Sequence, residues 1–214
     1  MDWQYILFDL DGTLSDTGRG VKNSVRYALR KFGLDAGEKT LDLYIGPPLR
    51  GAFQEYAGLS ESDAEKAVAY YREYYSEHGV LENEIYPGME QLLSALSEAG
   101  KTLLVATSKP DVYTKIVIRQ WHLEHYFAFI GAALLDGSRD SKADIIRYAL
   151  DGCGCRDYNT AVMIGDRKYD ILGAKSAGIS AVGVTYGYGS ESELRSAGAL
   201  IIADSTEELK RILL

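Results

Sequence analysis

The 214-residue sequence has no apolar run that approaches the ~20 residues needed to cross a bilayer. It has only two cysteines, Cys153 and Cys155, which are too close for an easy disulfide and have no second pair to complete a zinc site. The basic segment and long apolar stretch that are typical of a signal peptide are also missing. These absences predict a soluble, cytoplasmic protein with no membrane partner.

Positive charge is scarce as well, because 23 Lys and Arg residues stand against 31 Asp and Glu residues, giving a net charge of -8. A nucleic-acid partner is therefore not expected, since it would require a basic face. A small anionic substrate remains possible, because it responds to local cations rather than to the net charge. The hydrophobic fraction of 46% is ample for a packed core.

Short apolar runs alternate with helical patterns from residue 88 onward. The runs, which are typical of buried parallel strands, are residues 5–10, 102–107, 127–132, 161–164, 181–184 and 200–203. Helices are predicted at residues 88–99, 110–121, 141–150 and 172–177. This alternation predicts an α/β fold, a doubly wound parallel sheet with helices on both faces.

Residues 16–86 contain no convincing strand pattern. Helices are predicted there at residues 18–32, 48–56 and 62–77, the last of which begins with the capping-box pattern Ser62-x-x-Glu65. This block interrupts the α/β pattern. The predicted domains are therefore a core of residues 1–15 and 87–214, and an inserted all-helical domain of residues 16–86.

The first predicted strand ends in two carboxylates, in the stretch Asp9-Leu10-Asp11-Gly12-Thr13. Residues i and i+2 of an extended chain point to the same side, and α/β sheets place ligands at the carboxyl ends of their strands. One carboxylate could attack phosphorus, and the other could exchange a proton with the leaving oxygen. Asp and Gly also favour ordinary turns, so this stretch alone leaves both interpretations open.

A second pair of acids follows the strand at residues 161–164, in Gly165-Asp166-Arg167-Lys168-Tyr169-Asp170. Mg²⁺ prefers oxygen ligands and usually takes one or two protein carboxylates together with water and phosphate. Asp9 and Asp166 could supply these carboxylates from neighbouring strands. Asp170 could hold a metal-bound water or fix Lys142, or it could simply complement the dipole of a helix.

Three further residues could bind a phosphate. Thr107 offers a hydroxyl at a strand end, and Ser108 offers a backbone N–H at a helix entry, where amides bind anions; ordinary helix capping is the alternative. Lys142 lies at a predicted helix start, where a cation is unfavourable. It could instead offset the repulsion between Asp9 and a phosphate, or be a solvated surface lysine.

In order and spacing, these residues resemble the four motifs of the haloacid dehalogenase superfamily. Asp9 to Thr13 is similar to the first motif, Thr107 to the second, Lys142 to the third and Asp166 with Asp170 to the fourth. Residues 16–86 resemble the helical cap of the phosphoglycolate phosphatase-like subgroup. At the third motif, this chain has Ser141-Lys142-Ala143 where that subgroup often has Lys-Pro-x-Pro.

The resemblance implies a Rossmann-like core and a Mg²⁺-dependent phosphatase that forms an aspartyl phosphate. Asp9 would be the nucleophile, and Asp11 would be the general acid and base. Mg²⁺ would be held by Asp9, the backbone carbonyl of Asp11 and Asp166, with Asp170 beside them. The transferring phosphoryl group would be bound by Thr107, Ser108 and Lys142.

Other functions within and outside this superfamily stay open to different degrees. Its halide-removing members lack the second aspartate of the first motif and need no metal, so Asp11 and Asp166 argue against them. A sugar phosphomutase of the same fold is an alternative enzyme. A phosphate-ligand regulator without catalysis is the non-enzyme alternative, although it predicts erosion of the catalytic set, which is not seen.

The expected substrate is a small phosphorylated metabolite that residues 16–86 select. Arg50, which follows a stiff Gly-Pro-Pro stretch, could bind a substrate carboxylate, or be an ordinary exposed arginine. Phosphoglycolate is therefore the first candidate. A nucleoside monophosphate is the second, since a base could be flanked by Tyr44, Phe53 and Tyr56. The protein is expected to be a monomer or a homodimer.

Overall fold

The computed structural model describes residues 3–214. Within this range the strands are β1 (Tyr5–Phe8), β2 (Ser15–Asp16), β3 (Glu84–Ile85), β4 (Thr102–Pro110), β5 (Phe127–Ala133), β6 (Ala161–Gly165), β7 (Ser180–Val184) and β8 (Ile201–Ala203). The helices are α1 (Gly18–Arg30), α2 (Glu38–Asp42), α3 (Leu49–Ala57), α4 (Glu61–Glu77), α5 (Met89–Glu98), α6 (Asp111–Gln120), α7 (Lys142–Gly152), α8 (Lys168–Ala177), α9 (Glu191–Ala197) and α10 (Thr206–Leu213).

Six strands form one parallel sheet in the order β5-β4-β1-β6-β7-β8. In the centre of the sheet, Phe8 of β1 pairs with Val105 of β4 on one side and with Ile164 of β6 on the other. The predicted doubly wound α/β fold is confirmed. β2 and β3 form a separate two-stranded sheet.

Helices cover the sheet because successive residues of each strand point to opposite faces. One face buries residues such as Leu7 and Met163 in a cluster with Ile145 and Ala149 of α7 and Ala174 of α8. The alternate strand residues are buried too, and α5, which packs against α10, contacts β4. A sheet buried on both faces explains why its strands are continuous apolar runs.

The chain divides into two compact units. The core unit comprises the residues up to Asp16 and Ile85–Leu214, and the helical unit comprises Thr17–Glu84. The boundaries therefore follow residues 16 and 84, where the sequence suggested 15 and 86. β3 lies at the second boundary although the sequence indicated no strand there, because two residues are too few to show strand alternation.

The helical unit has its own aromatic core. Tyr44 and Phe53 are buried and lie 5.2 Å apart between ring centres, and Tyr71 and Tyr75 are buried and stacked. The suggestion that Tyr44 and Phe53 flank a nucleobase is wrong, because burial in this core leaves their ring faces covered by protein. Their role in the described structure is packing.

The helix starts predicted at residues 62, 110 and 141 each lie one residue from the observed starts of α4, α6 and α7, but the predicted capping box at Ser62 is wrong. α4 is capped by Ser60, whose side chain accepts a hydrogen bond from the N–H of Asp63, so the helix begins before the Ser62 capping box. Ser141 precedes α7 without a side-chain cap. Pro110 ends β4 instead of opening α6. Local capping patterns thus locate a helix to within one or two residues of its end.

Candidate active site

The ends of three adjacent strands carry the predicted phosphate chemistry. Asp9 directly follows β1, Asp166 directly follows β6, and Thr107 lies near the end of β4. Because β4, β1 and β6 are parallel neighbours, their carboxyl ends meet at one edge of the sheet. The backbone N–H of Asp9 donates to the carbonyl of Ile164 at 2.9 Å, which continues the β1–β6 register up to the site.

Lys142, the first residue of α7, is buried among the acids at this edge. Its Nζ lies 3.0 Å from Oδ1 of Asp9 and 2.7 Å from Oδ1 of Asp170, and donates to the carbonyl of Ala106 at 3.0 Å. Burial alone would lower the pKa of Lys142, but Asp170 and Asp9 outweigh it, so its pKa lies above the ordinary value. Lys142 is therefore charged at neutral pH.

The lysine reaches this position because α8 has a glycine beneath it. A Cβ at Gly173 would lie 2.5 Å from Cγ of Lys142. Any other residue would have to displace the lysine chain, which has little room in this buried position. Gly173 thus explains how a helix-start lysine on α7 enters the site across α8.

Asp9, Asp166 and Asp170 form a buried acidic cluster whose ligand atoms all lie within 4.8 Å of one another. Burial, supported by Asp170 and Asp11 and opposed by Lys142, raises the pKa of Asp9 from 3.8 to about 6. Burial together with Asp170 and Asp9 raises the pKa of Asp166 well above its ordinary value. Burial is the largest cause of both shifts, and the neighbouring carboxylates add to it.

A divalent cation fits this cluster on chemical grounds. Three carboxyl groups face one lysine, so two negative charges would remain in a buried place when all three acids are ionised. Carboxylate oxygens are the ligands that hard cations such as Mg²⁺ and Ca²⁺ prefer. The cluster is therefore a candidate metal centre.

Asp166 is oriented by two hydrogen bonds from other parts of the core unit. The N–H of Tyr188 donates to its Oδ2 at 2.8 Å, and Oγ1 of Thr13 donates to its Oδ1 at 3.3 Å. Asp170 is held in a similar way, since its Oδ2 accepts from the N–H of Arg167 at 3.1 Å while Oδ1 faces Lys142. Both acids are thus fixed before any ligand binds.

The loop from Tyr186 to Gly189 packs against the site. The hydroxyl of Tyr186 donates to the carbonyl of Thr13 at 3.2 Å, and the hydroxyl of Tyr188 donates to Oδ1 of Asp16 at 2.6 Å. At Gly187, a Cβ would lie 2.1 Å from the carbonyl oxygen of Gly12. Its glycines permit this close packing, because a side chain at Gly187 would collide with the backbone of Gly12.

Asp11 is paired with Lys109, which is not among the predicted site residues. Nζ of Lys109 lies 2.8 Å from Oδ1 and 2.7 Å from Oδ2 of Asp11. The lysine side chain is 5% exposed and the aspartate side chain 30% exposed. One signal was available in the sequence: Lys109 follows Thr107 by two residues, and such positions share a side of an extended chain.

The remaining candidates differ in their surroundings. Thr107 is buried, and its Oγ1 accepts from the N–H of Lys109 at 3.2 Å, whereas Ser108 is exposed. Arg50 belongs to the helical unit, where its exposed side chain pairs with Glu61 and lies 3.6 Å from Glu65. The predicted catalytic, phosphate-binding and metal-binding residues therefore all belong to the core unit, whereas Arg50 belongs to the helical unit.

Among the helices of residues 3–214, none combines the length and apolar character needed to cross a membrane.

Comparison with known proteins gives consistent matches over nearly the whole chain. The model of the haloacid dehalogenase-like hydrolase family matches residues 6–184. A 5'-nucleotidase of Pseudomonas aeruginosa is 43% identical over 192 residues, which cover 89% of this chain and 86% of that protein. The tyrosine-protein kinase PtkA of Mycobacterium tuberculosis is 38% identical over 213 residues, which cover 98% of this chain and 72% of that protein.

A solved structure shows the same architecture. The crystal structure of a putative phosphatase from Clostridium difficile superposes with a TM-score of 0.93 at 43% sequence identity, over 100% of both chains.

Proposed function

This chain belongs to the haloacid dehalogenase-like hydrolases and is a phosphatase, and we propose that it is a Mg²⁺-dependent one in which Asp9 is the nucleophile. One observation carries the proposal: the carboxyl group of Asp9 lies at a strand end, 3.0 Å from the buried ammonium of Lys142 and within the cluster of Asp166 and Asp170. A phosphate bound there would meet a nucleophile, a fixed cation and a metal-binding cluster together.

Asp9 and Asp166 would hold Mg²⁺, with the backbone carbonyl of Asp11 as a further ligand and Asp170 supporting the cluster. When bound, Mg²⁺ supplies positive charge that offsets the phosphate and aligns it for attack. Asp170 has a second role, because its ion pair holds Lys142 at 2.7 Å. This role accounts for a buried acid that also caps α8.

Different residues of the chain then carry out the separate chemical steps. A carboxylate oxygen of Asp9 attacks phosphorus, and the bond to the ester oxygen breaks, which leaves an aspartyl phosphate. Asp11 gives its proton to the departing oxygen and later takes one from the water that hydrolyses the aspartyl phosphate. The charge that spreads over the transferring group is bound by Thr107, the N–H of Ser108 and Lys142.

Replacing Asp9 tests this proposal. Asp9→Asn keeps the shape of the side chain but removes the nucleophile, so phosphate release from p-nitrophenyl phosphate with Mg²⁺ should fall to background. Circular dichroism and the melting temperature should show an intact fold. Asp204→Asn, at an exposed position, is the matched control and should retain wild-type activity. Wild-type turnover by Asp9→Asn, or full activity of the wild-type protein in a metal chelator, would refute the proposal.

A nucleoside 5'-monophosphate is the first substrate candidate that we propose. Its support is the 43% identity to the 5'-nucleotidase over most of both chains. Phosphoglycolate, which the sequence resemblance favoured, is the second candidate. The ion pairs of Arg50 with Glu61 and Glu65 weaken it, because they occupy the group that was expected to bind a carboxylate.

A substrate panel separates these candidates. With Mg²⁺ present, kcat/KM should be higher for nucleoside 5'-monophosphates than for phosphoglycolate. Arg50→Ala should leave the values for nucleotides within a few-fold of the wild type. If phosphoglycolate is the better substrate and Arg50→Ala selectively lowers its kcat/KM, the assignment reverses.

A further inference from the structure

Lys109 is a second buried lysine at the active edge, and its partner differs from that of Lys142. Lys142 contacts Asp9 and Asp170, whereas Lys109 contacts both carboxylate oxygens of Asp11. Lysines are rarely buried without a specific partner. Each aspartate of the Asp9-Leu10-Asp11 stretch therefore has its own lysine.

The backbone of Lys109 is anchored on both sides. Its N–H donates to Oγ1 of Thr107 at 3.2 Å, and its carbonyl accepts from Oγ1 of Thr114 at 3.2 Å. The β4–β5 register also shifts between Thr107 and Pro110, so regular strand pairing is interrupted around the lysine. The backbone of Lys109 is thus held by hydrogen bonds to Thr107 of β4 and Thr114 of α6.

The contact restrains Asp11 more than a single hydrogen bond would. Nζ of Lys109 lies 2.8 and 2.7 Å from the two carboxylate oxygens, so rotation of the carboxyl group would lengthen at least one contact. The lysine side chain is nearly buried, which keeps solvent from competing for the pair. Asp11 is the more exposed partner and is accessible to a substrate.

We propose that Lys109 is the positioning residue of Asp11, which it holds so that one carboxyl oxygen can exchange a proton with the leaving group. While Asp11 carries that proton on one oxygen, Lys109 keeps its contact with the other. This inference rests on the proposed role of Asp11 as general acid and base. It assigns to Lys109 no contact with the phosphoryl group, whose cation is Lys142.

Lys109→Met tests the inference, because it keeps a side chain of similar length without the ammonium group. Turnover of phenyl phosphate and p-nitrophenyl phosphate is compared, since the nitrophenolate leaves with less help from an acid. We expect kcat for phenyl phosphate to fall about 10²-fold, the loss that a displacement of about 1 Å can cause, and kcat for p-nitrophenyl phosphate to fall much less. KM should change little for either ester.

Two further variants separate positioning from a structural role. In Lys109→Met/Asp11→Asn, the loss should be no greater than in Asp11→Asn alone, because a positioning residue has no effect once its partner is disabled. Lys109→Gln, which keeps one hydrogen-bond donor, should lose less than Lys109→Met and serves if the methionine variant does not fold. Lys115→Met, at an exposed helix position, is the control.

Equal losses for the two esters, or a double variant with additive losses, would overturn the role of Lys109. A failure of the proposed function is recognised separately, by an active Asp9→Asn or by an Asp11→Asn that loses no activity.

Discussion

Asp166 and Asp9 bind protons more tightly in the folded chain than in the unfolded one, because burial raises the pKa of both groups. For Asp9, the pH interval affected runs from its ordinary pKa of 3.8 to its raised pKa of about 6. Within it, the folded state binds more protons than the unfolded state. The contribution of these groups to the free energy of unfolding must therefore fall as the pH rises through this interval.

Asp166→Asn makes this effect measurable in the metal-free protein. The amide has no charge to bury, so the variant should gain stability over the wild type as the pH rises from about 4 to 7. A gain of about 1 kcal/mol would raise Tm by about 2–4 °C in a chain of this size. Mg²⁺ should stabilise the wild type at pH 7 and have no such effect on Asp166→Asn.

The measurement is thermal unfolding in chelator across that pH range, with Asp204→Asn as the matched control. Other carboxyl groups, such as Asp136 and Glu193, have lowered pKa values and act in the opposite direction. The difference between variant and wild type is therefore the quantity to follow. A difference that stays constant with pH would contradict the interpretation.

Among the elements, the connection between β7 and α9 contacts the site directly, through Gly12 and Asp166. A Cβ at Gly187 would lie 2.1 Å from the carbonyl oxygen of Gly12 and 2.5 Å from Cβ of Asp166. Gly187→Ala should therefore displace this connection, weaken the hydrogen bond from Tyr188 to Asp166 and lower the affinity for Mg²⁺. The expected loss is about tenfold or more, the range seen when a residue that orients a metal ligand is changed.

Mg²⁺ affinity is measured from the rise of Tm with Mg²⁺ concentration, which does not depend on activity. Gly51→Ala is the matched control, since its Cβ would meet nothing within 4 Å and α3 should tolerate it. An unchanged affinity in Gly187→Ala would show that the metal centre does not need this connection.

Sequence patterns predicted the presence of the helices and strands of the core unit more accurately than the residues at which they begin and end. The apolar runs identified the six parallel strands because both faces of the sheet are buried. Ser60-x-x-Asp63 and Ser62-x-x-Glu65 both fit a local capping pattern, so the sequence alone did not decide which serine caps α4. The pairing of Lys109 with Asp11 joins residues 98 positions apart, so the sequence showed only that a lysine follows Thr107.

At the scale of the whole molecule, the family resemblance predicted the fold and the phosphatase class. Those properties depend on which residues lie at the ends of neighbouring strands. The order and spacing of the motifs along the chain were enough to infer these residues. The close packing of Tyr186–Gly189 was missed because its glycines fit tight contacts and mobile loops equally well. Substrate choice depends on side chains whose partners, such as those of Arg50, are visible only in three dimensions.

The central position of β1 has a consequence for the order in which a growing chain can fold. Tyr5 pairs with Thr102 and Ala161, so β1 can join the sheet only after residues 97 and 156 positions further along the chain have been made. Thr17–Glu84, by contrast, is complete before either partner strand emerges. During translation, the proposed nucleophile Asp9 would thus be made well before the sheet around it is assembled, and contacts of such long sequence separation are slow to form.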